Sequence, residues 1–102
     1  MNRNARNAWN ALKKIGAPVL GPELGWGGHF AISGEGAGRD DWFYEGSKDY
    51  ASDGMDWAEY YTEDYREEWS VFGVHKEIIE VLDKHGLFAE WYNAGVLGVY
   101  DS

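Results

Sequence analysis

Residues 35–68 hold 12 of the chain's 18 carboxylates and three of its nine basic residues, so this third of the 102-residue chain carries −9, the net charge of the whole molecule. The flanks cancel. Arg3, Arg6, Lys13 and Lys14 against Glu23 leave +3 over residues 1–34, and residues 69–102 sum to −3. Nine aromatic residues run from Trp42 through Trp69. A fold built from this chain must tolerate self-repulsion in that window, and the charge favours a positively charged partner.

Length and composition bound the rest. A chain of 102 residues fits one domain, 1–102, with a modest core. At 44 % apolar and 17 % aromatic it can bury enough surface to fold. It has no cysteine, hence no disulfide framework and no thiolate metal or redox chemistry. Met1 to Asn7 is polar with no apolar run behind it, unlike a secretory signal peptide, and no stretch approaches about 18 consecutive apolar residues. The expectation is a soluble cytoplasmic domain. Acidity argues against nucleic acid as a direct ligand, because phosphate binding needs Lys and Arg to displace counterions.

Residues 4–15 read as an amphipathic helix with Ala5, Ala8, Trp9, Leu12 and Ile15 on one face, Asn2 or Asn4 as its cap and Gly16 as its stop. Residues 16–28 read as a loop broken by prolines and glycines. Residues 29–33 and 41–45 read as paired strands joined by the turn Gly34-Glu35-Gly36-Ala37-Gly38. A helix is expected over roughly 55–70, N-capped by Asp53, and another from His75 to His85, ended by Gly86. The C-terminal segment reads as a hairpin turning at Asn93-Ala94-Gly95, with Gly95 suited to a positive φ. The predicted fold is α+β: a small antiparallel sheet of two hairpins packed with about three helices, in the order α-ββ-αα-ββ.

The 55–70 helix carries the functional argument. Trp57, Tyr61, Tyr65 and Trp69 recur every four residues as an aromatic stripe, the usual mark of a core-facing side. Asp56, Glu59, Glu63 and Glu67 form an acidic stripe beside it, widened by Asp64 and Glu68. These six carboxylates would span roughly 18 Å, about one charge per 3 Å, close to the roughly 3.4 Å spacing of phosphates along one nucleic-acid strand. Like charges at i, i+4 each cost a few tenths of a kcal/mol, and only Arg66 relieves them within the helix. A solvated helix face is the bland alternative. Asp40, Asp41 and Glu45 bracket Trp42-Phe43-Tyr44, and Asp49 and Asp53 continue the acidic run. Aromatics among carboxylates suit an interface that grips arginine. The candidate partner-binding residues are therefore Asp40, Asp41, Glu45, Asp49, Asp53, Asp56, Glu59, Glu63, Asp64, Glu67 and Glu68.

Other motifs fail on chemistry. The clusters Gly25-Trp26-Gly27-Gly28 and Gly34–Gly38 lack the Walker lysine and the strand–loop–helix context of a phosphate loop, so turn geometry explains them. Asp49, Asp53, Gly54 and Asp56 suggest a calcium loop, but Ala51 and Tyr60 stand where ligands belong. His29, His75 and His85 have no metal-ligand spacing. Carboxylate pairs are too abundant to single out one for glycoside hydrolysis. No catalytic residue, metal or cofactor is expected, and an enzyme is not predicted.

An acidic, cysteine-free, aromatic-rich chain of about this size, above all in DDWFYEGSKDYASDGMDWAEYYTEDYREEW (40–69), resembles phage-encoded anti-defence proteins of the anti-CRISPR and DNA-mimic type. The resemblance is one of profile, with no motif carried over residue by residue. It implies a stoichiometric, cytoplasmic CRISPR-Cas inhibitor that docks on a basic nucleic-acid-binding surface of a Cas effector or restriction enzyme in the host cell and excludes DNA. Two alternatives remain open: a Trp/Tyr-rich carbohydrate-binding module, and a small phage structural or assembly protein whose acidity keeps it soluble.

Overall fold

A computed structural model describes residues 1–25, 28–34, 43–60, 70–71 and 73–102. Its first element, helix α1 (Arg3–Lys14), starts where the Asn2 side chain accepts from the Ala5 backbone N–H at 2.8 Å. It stops in a Schellman pattern, with Gly16 N–H donating to Lys13 O, Ala17 N–H donating to Leu12 O, and Gly16 at φ +85°. Ala5, Ala8 and Leu12 are fully buried, as the helical spacing predicts.

Four antiparallel strands make the main sheet: β1 (Val19–Leu20), β2 (Phe30–Ser33), β5 (Leu87–Asn93) and β6 (Val96–Asp101), ordered β1-β2-β6-β5. The short strands β3 (Ser70–Val71) and β4 (Val74–His75) pair with each other, and β4 runs straight into helix α2 (Lys76–Lys84). Both helices cover one face of the sheet. Ala5, Ala8 and Leu12 of α1 and Ile78 and Leu82 of α2 share one core with Phe30, Ile32, Leu87, Leu97 and Val99, and Trp9 meets Phe30 edge-on at 5.3 Å. The opposite face carries a smaller cluster, Leu20, Ala31 and Val96, with Phe43 against it.

The α+β class and antiparallel sheet agree with the sequence reading, as do α1, β2, α2 and the C-terminal hairpin. Three expectations do not hold. First, residues 43–45 form a turn rather than a strand, and β2 pairs with β1 and β6. The sheet instead recruits Val19-Leu20 from the supposed loop, because both side chains bury there, while Tyr44 turns away to donate its hydroxyl to Ala17 O at 2.6 Å. Second, residues 55–60 are not helical. Asp56 bridges Tyr50, Ala58 bridges Val74, and Glu59 N–H donates to Gly73 O at 2.7 Å. Pairing with β4 buries Trp57 and Ala58 together and keeps Asp56 and Glu59 from stacking on one helical face. The described residues thus hold two α-helices instead of about three, and the rest of the expected helix, 61–69, lies outside them, as does the turn 35–38 with residues 39–42. Third, the hairpin turns at Ala94-Gly95, and Gly95 is not among the glycines at positive φ. Asn93 takes over by accepting from Gly95 N–H through its side chain at 2.8 Å. Among the described residues no helix is long and apolar enough to cross a membrane.

Candidate acidic interface

The loop from 43 to 60 is the part of the acidic window that the structure describes, and it is fastened at both ends. At its start, the Tyr44 hydroxyl bonds Ala17 O and its ring lies under the Lys13 ammonium, 5.1 Å from the centroid. Burial pushes this phenol above its ordinary pKa. Lys48 N–H then donates to Gly16 O, so the loop follows the end of α1. At its end, Trp57 sits at 1 % exposure with its indole N–H donating to Lys48 O at 3.0 Å. The loop therefore closes on a buried aromatic peg.

Between these anchors the chain folds back on itself. Tyr50 bridges Asp56, Ala51 N–H donates to Met55 O, and Gly54, at φ +81°, returns its N–H to Ala51 O. Asp53 locks this turn twice. One carboxylate oxygen accepts from Met55 N–H at 2.9 Å, and the other lies 3.0 Å from His75 Nε2. These contacts hold the Asp53 carboxyl below its usual range, the Met55 N–H contributing most.

His75 is 4 % exposed and is the N-cap of α2, where Nδ1 accepts from Glu77 N–H at 3.0 Å. With Nδ1 accepting, the ring proton sits on Nε2, which donates to Asp53. Its backbone N–H also donates to Trp57 O. Ser52 adds a hydroxyl to Glu77 at 3.3 Å. One buried imidazole thus ties the acidic turn to the start of a helix, a role that the sequence hid because Asp53 and His75 are far apart in the chain.

The sequence-predicted residues now divide. Glu45, Asp49 and Glu59 are exposed carboxylates on this fastened loop, with Tyr50 57 % and Tyr60 50 % exposed among them. Asp56 is half-buried beside Tyr50, and the Asp53 carboxylate is engaged in the turn. Asp40, Asp41, Glu63, Asp64, Glu67 and Glu68 lie outside the described residues, as do Tyr61, Tyr65 and Trp69. Of the aromatic stripe, the structure describes Trp57 alone, and it is core. Tyr60 meets Trp91 edge-on at 5.3 Å, which rests the far end of the loop on the sheet.

The arrangement can offer fixed negative charge and exposed tyrosine rings to a cationic surface, with little loop ordering left to oppose binding. The remaining histidines are engaged elsewhere. His29 Nε2 lies 3.0 Å from Asp101, and His85 Nδ1 lies 2.8 Å from Val81 O at the end of α2. Among the described residues no three His, Asp or Glu side chains could hold a metal ion together. No family model, no curated protein and no solved structure matches this chain.

Proposed function

We propose that this chain is a non-catalytic acidic inhibitor, of the anti-CRISPR type carried by phages. In this reading it acts in the host cytoplasm by occupying a basic nucleic-acid-binding surface of a Cas effector subunit or a comparable defence protein. The observation that carries the reading is the fastened loop 43–60, which presents Glu45, Asp49 and Glu59 with exposed Tyr50 and Tyr60. Carboxylates held in place pair with Lys and Arg that otherwise hold phosphates, and the tyrosine rings supply contact area at low entropic cost. The net charge of −9 steers the encounter and makes it sensitive to salt.

Charge reversal tests this directly. Glu45, Asp49 and Glu59, changed together to lysine, should weaken the ability of the protein to block DNA binding by a purified Cas effector complex that the parent inhibits. Each exposed pair is worth roughly 0.5 kcal/mol, so the triple change should weaken inhibition by about tenfold. Unchanged inhibition by the triple variant would exclude the loop as the blocking surface.

A further inference from the structure

The sheet face turned away from the helices carries an aromatic surface at its β5–β6 end. Phe88 is 40 % and Tyr92 56 % exposed. The register sets Phe88 opposite Tyr100 and Glu90 opposite Gly98, and the Phe88 and Tyr100 rings lie 5.8 Å apart at 34°. Gly98 decides how Tyr100 lies: a Cβ there would stand 2.7 Å from the hydroxyl and 2.9 Å from the ring. The missing side chain lets the tyrosine fold back over the strand, and exposed Glu90 rises directly across from the glycine it covers. At the end of β5 a bulge sets Tyr92 and Asn93 together against Val96, which keeps Tyr92 on the rim of this surface.

Aromatic rings and one carboxylate on neighbouring positions of the same sheet face are chemistry for a guanidinium. The rings attract the cation, the carboxylate accepts its planar fork through two parallel hydrogen bonds, and a lysine ammonium can match only the first of these. A second copy of this chain is a poor occupant, because a two-fold contact would bring like-charged surfaces together, Glu90 with them, on molecules of −9 each. We propose that Phe88, Glu90, Tyr92 and Tyr100 form an arginine-binding surface, occupied by an arginine-bearing segment of a basic protein partner. The surface lies across the sheet from α2 and the acidic turn tied to it, so it can serve as a second contact and does not depend on the partner being a nucleic-acid-binding protein.

Nuclear magnetic resonance of the isotope-labelled protein, titrated with an acetylated hexa-arginine amide and separately with its hexa-lysine counterpart, tests the proposal. The amides of residues 88–92 and 98–100 should shift saturably, with arginine bound about three- to fivefold more tightly than lysine at those resonances. Glu90→Gln and Tyr100→Leu should each weaken arginine binding there by about threefold or more. The Glu45/Asp49/Glu59 lysine variant should retain these shifts, which separates failure of this surface from failure of the acidic loop. Equal affinity for both peptides, absence of shifts at 88–100, or a Glu90→Gln protein that binds arginine like the parent would each overturn the proposal. The Glu90 exchange decides the matter even if Tyr100→Leu fails to fold, because it alters one exposed carboxylate and no packing.

Discussion

Asp53 and His75 carry the sharpest residue-level consequence. The folded state holds the Asp53 carboxyl below its ordinary pKa, through Met55 N–H first and His75 second. Between the depressed folded value and the ordinary one, the unfolded chain binds more protons, so stability rises with pH across that interval. The contribution is fully present above the ordinary carboxylate range and is lost as pH falls through the folded value. Asp53→Asn removes this contribution. Melting temperatures of parent and variant, followed from about pH 6 down to about pH 2, should therefore differ most at the upper end and converge in acid. A gap that stays constant with pH would assign Asp53 no linked proton. The effect should be small, because the Asp53 side chain is 48 % exposed and solvent screens its partners. Trp57 works on a different basis, as apolar area with one satisfied N–H, and is insensitive to acid.

At the scale of elements, the turn entering β4 is the point where one atom too many breaks the arrangement. Gly73 has φ +79°, and a Cβ on it would run into the carbonyl oxygen of Glu59. That carbonyl belongs to the residue whose own N–H donates to Gly73 O, so the clash falls on the seam joining the acidic loop to β4. Gly73→Ala should cost about 2 kcal/mol or more, combining positive-φ strain with the lost seam, read as a lower urea midpoint at unchanged m-value. A midpoint within error of the parent would mean that the seam contributes little. This seam was the least legible element in the sequence. The helices α1 and α2 announced themselves by apolar spacing, caps and terminal glycines, all local signals. The extended segment 55–60 shows the same residue types at the same spacing as a helix, and only its pairing with Val74 and His75 decides otherwise. Likewise Val19-Leu20 is too short to read as a strand until β2 is beside it. Long-range pairing, absent from any local window, accounts for both differences. The same reason kept the Asp53–His75 tether out of view, whereas the exposed carboxylates Glu45, Asp49 and Glu59 were readable from charge alone.

At the scale of the molecule, the sheet divides the surface in two. On one side lie the helices with the turn that Asp53 and His75 tie to α2, and on the other lie the Leu20–Ala31–Val96 cluster with Phe43 and the β5–β6 aromatic face. The flanking segments of the chain supply most of the core, from α1, β2, α2 and the hairpin. The acidic window contributes Ala51, Trp57 and Ala58 to that core and presents Glu45, Asp49 and Glu59 to solvent. Among the described residues, that division keeps the window's apolar side chains in the core and these carboxylates in water. The proposed inhibition requires that the acidic face and DNA compete for one basic surface. The most direct measurement is displacement of labelled target DNA from a purified Cas effector complex by this protein, repeated at several DNA concentrations and fixed ionic strength. Competition gives a half-inhibitory concentration that rises in proportion to DNA. Inhibition independent of DNA concentration, or a ternary complex that retains both DNA and the protein, would contradict it.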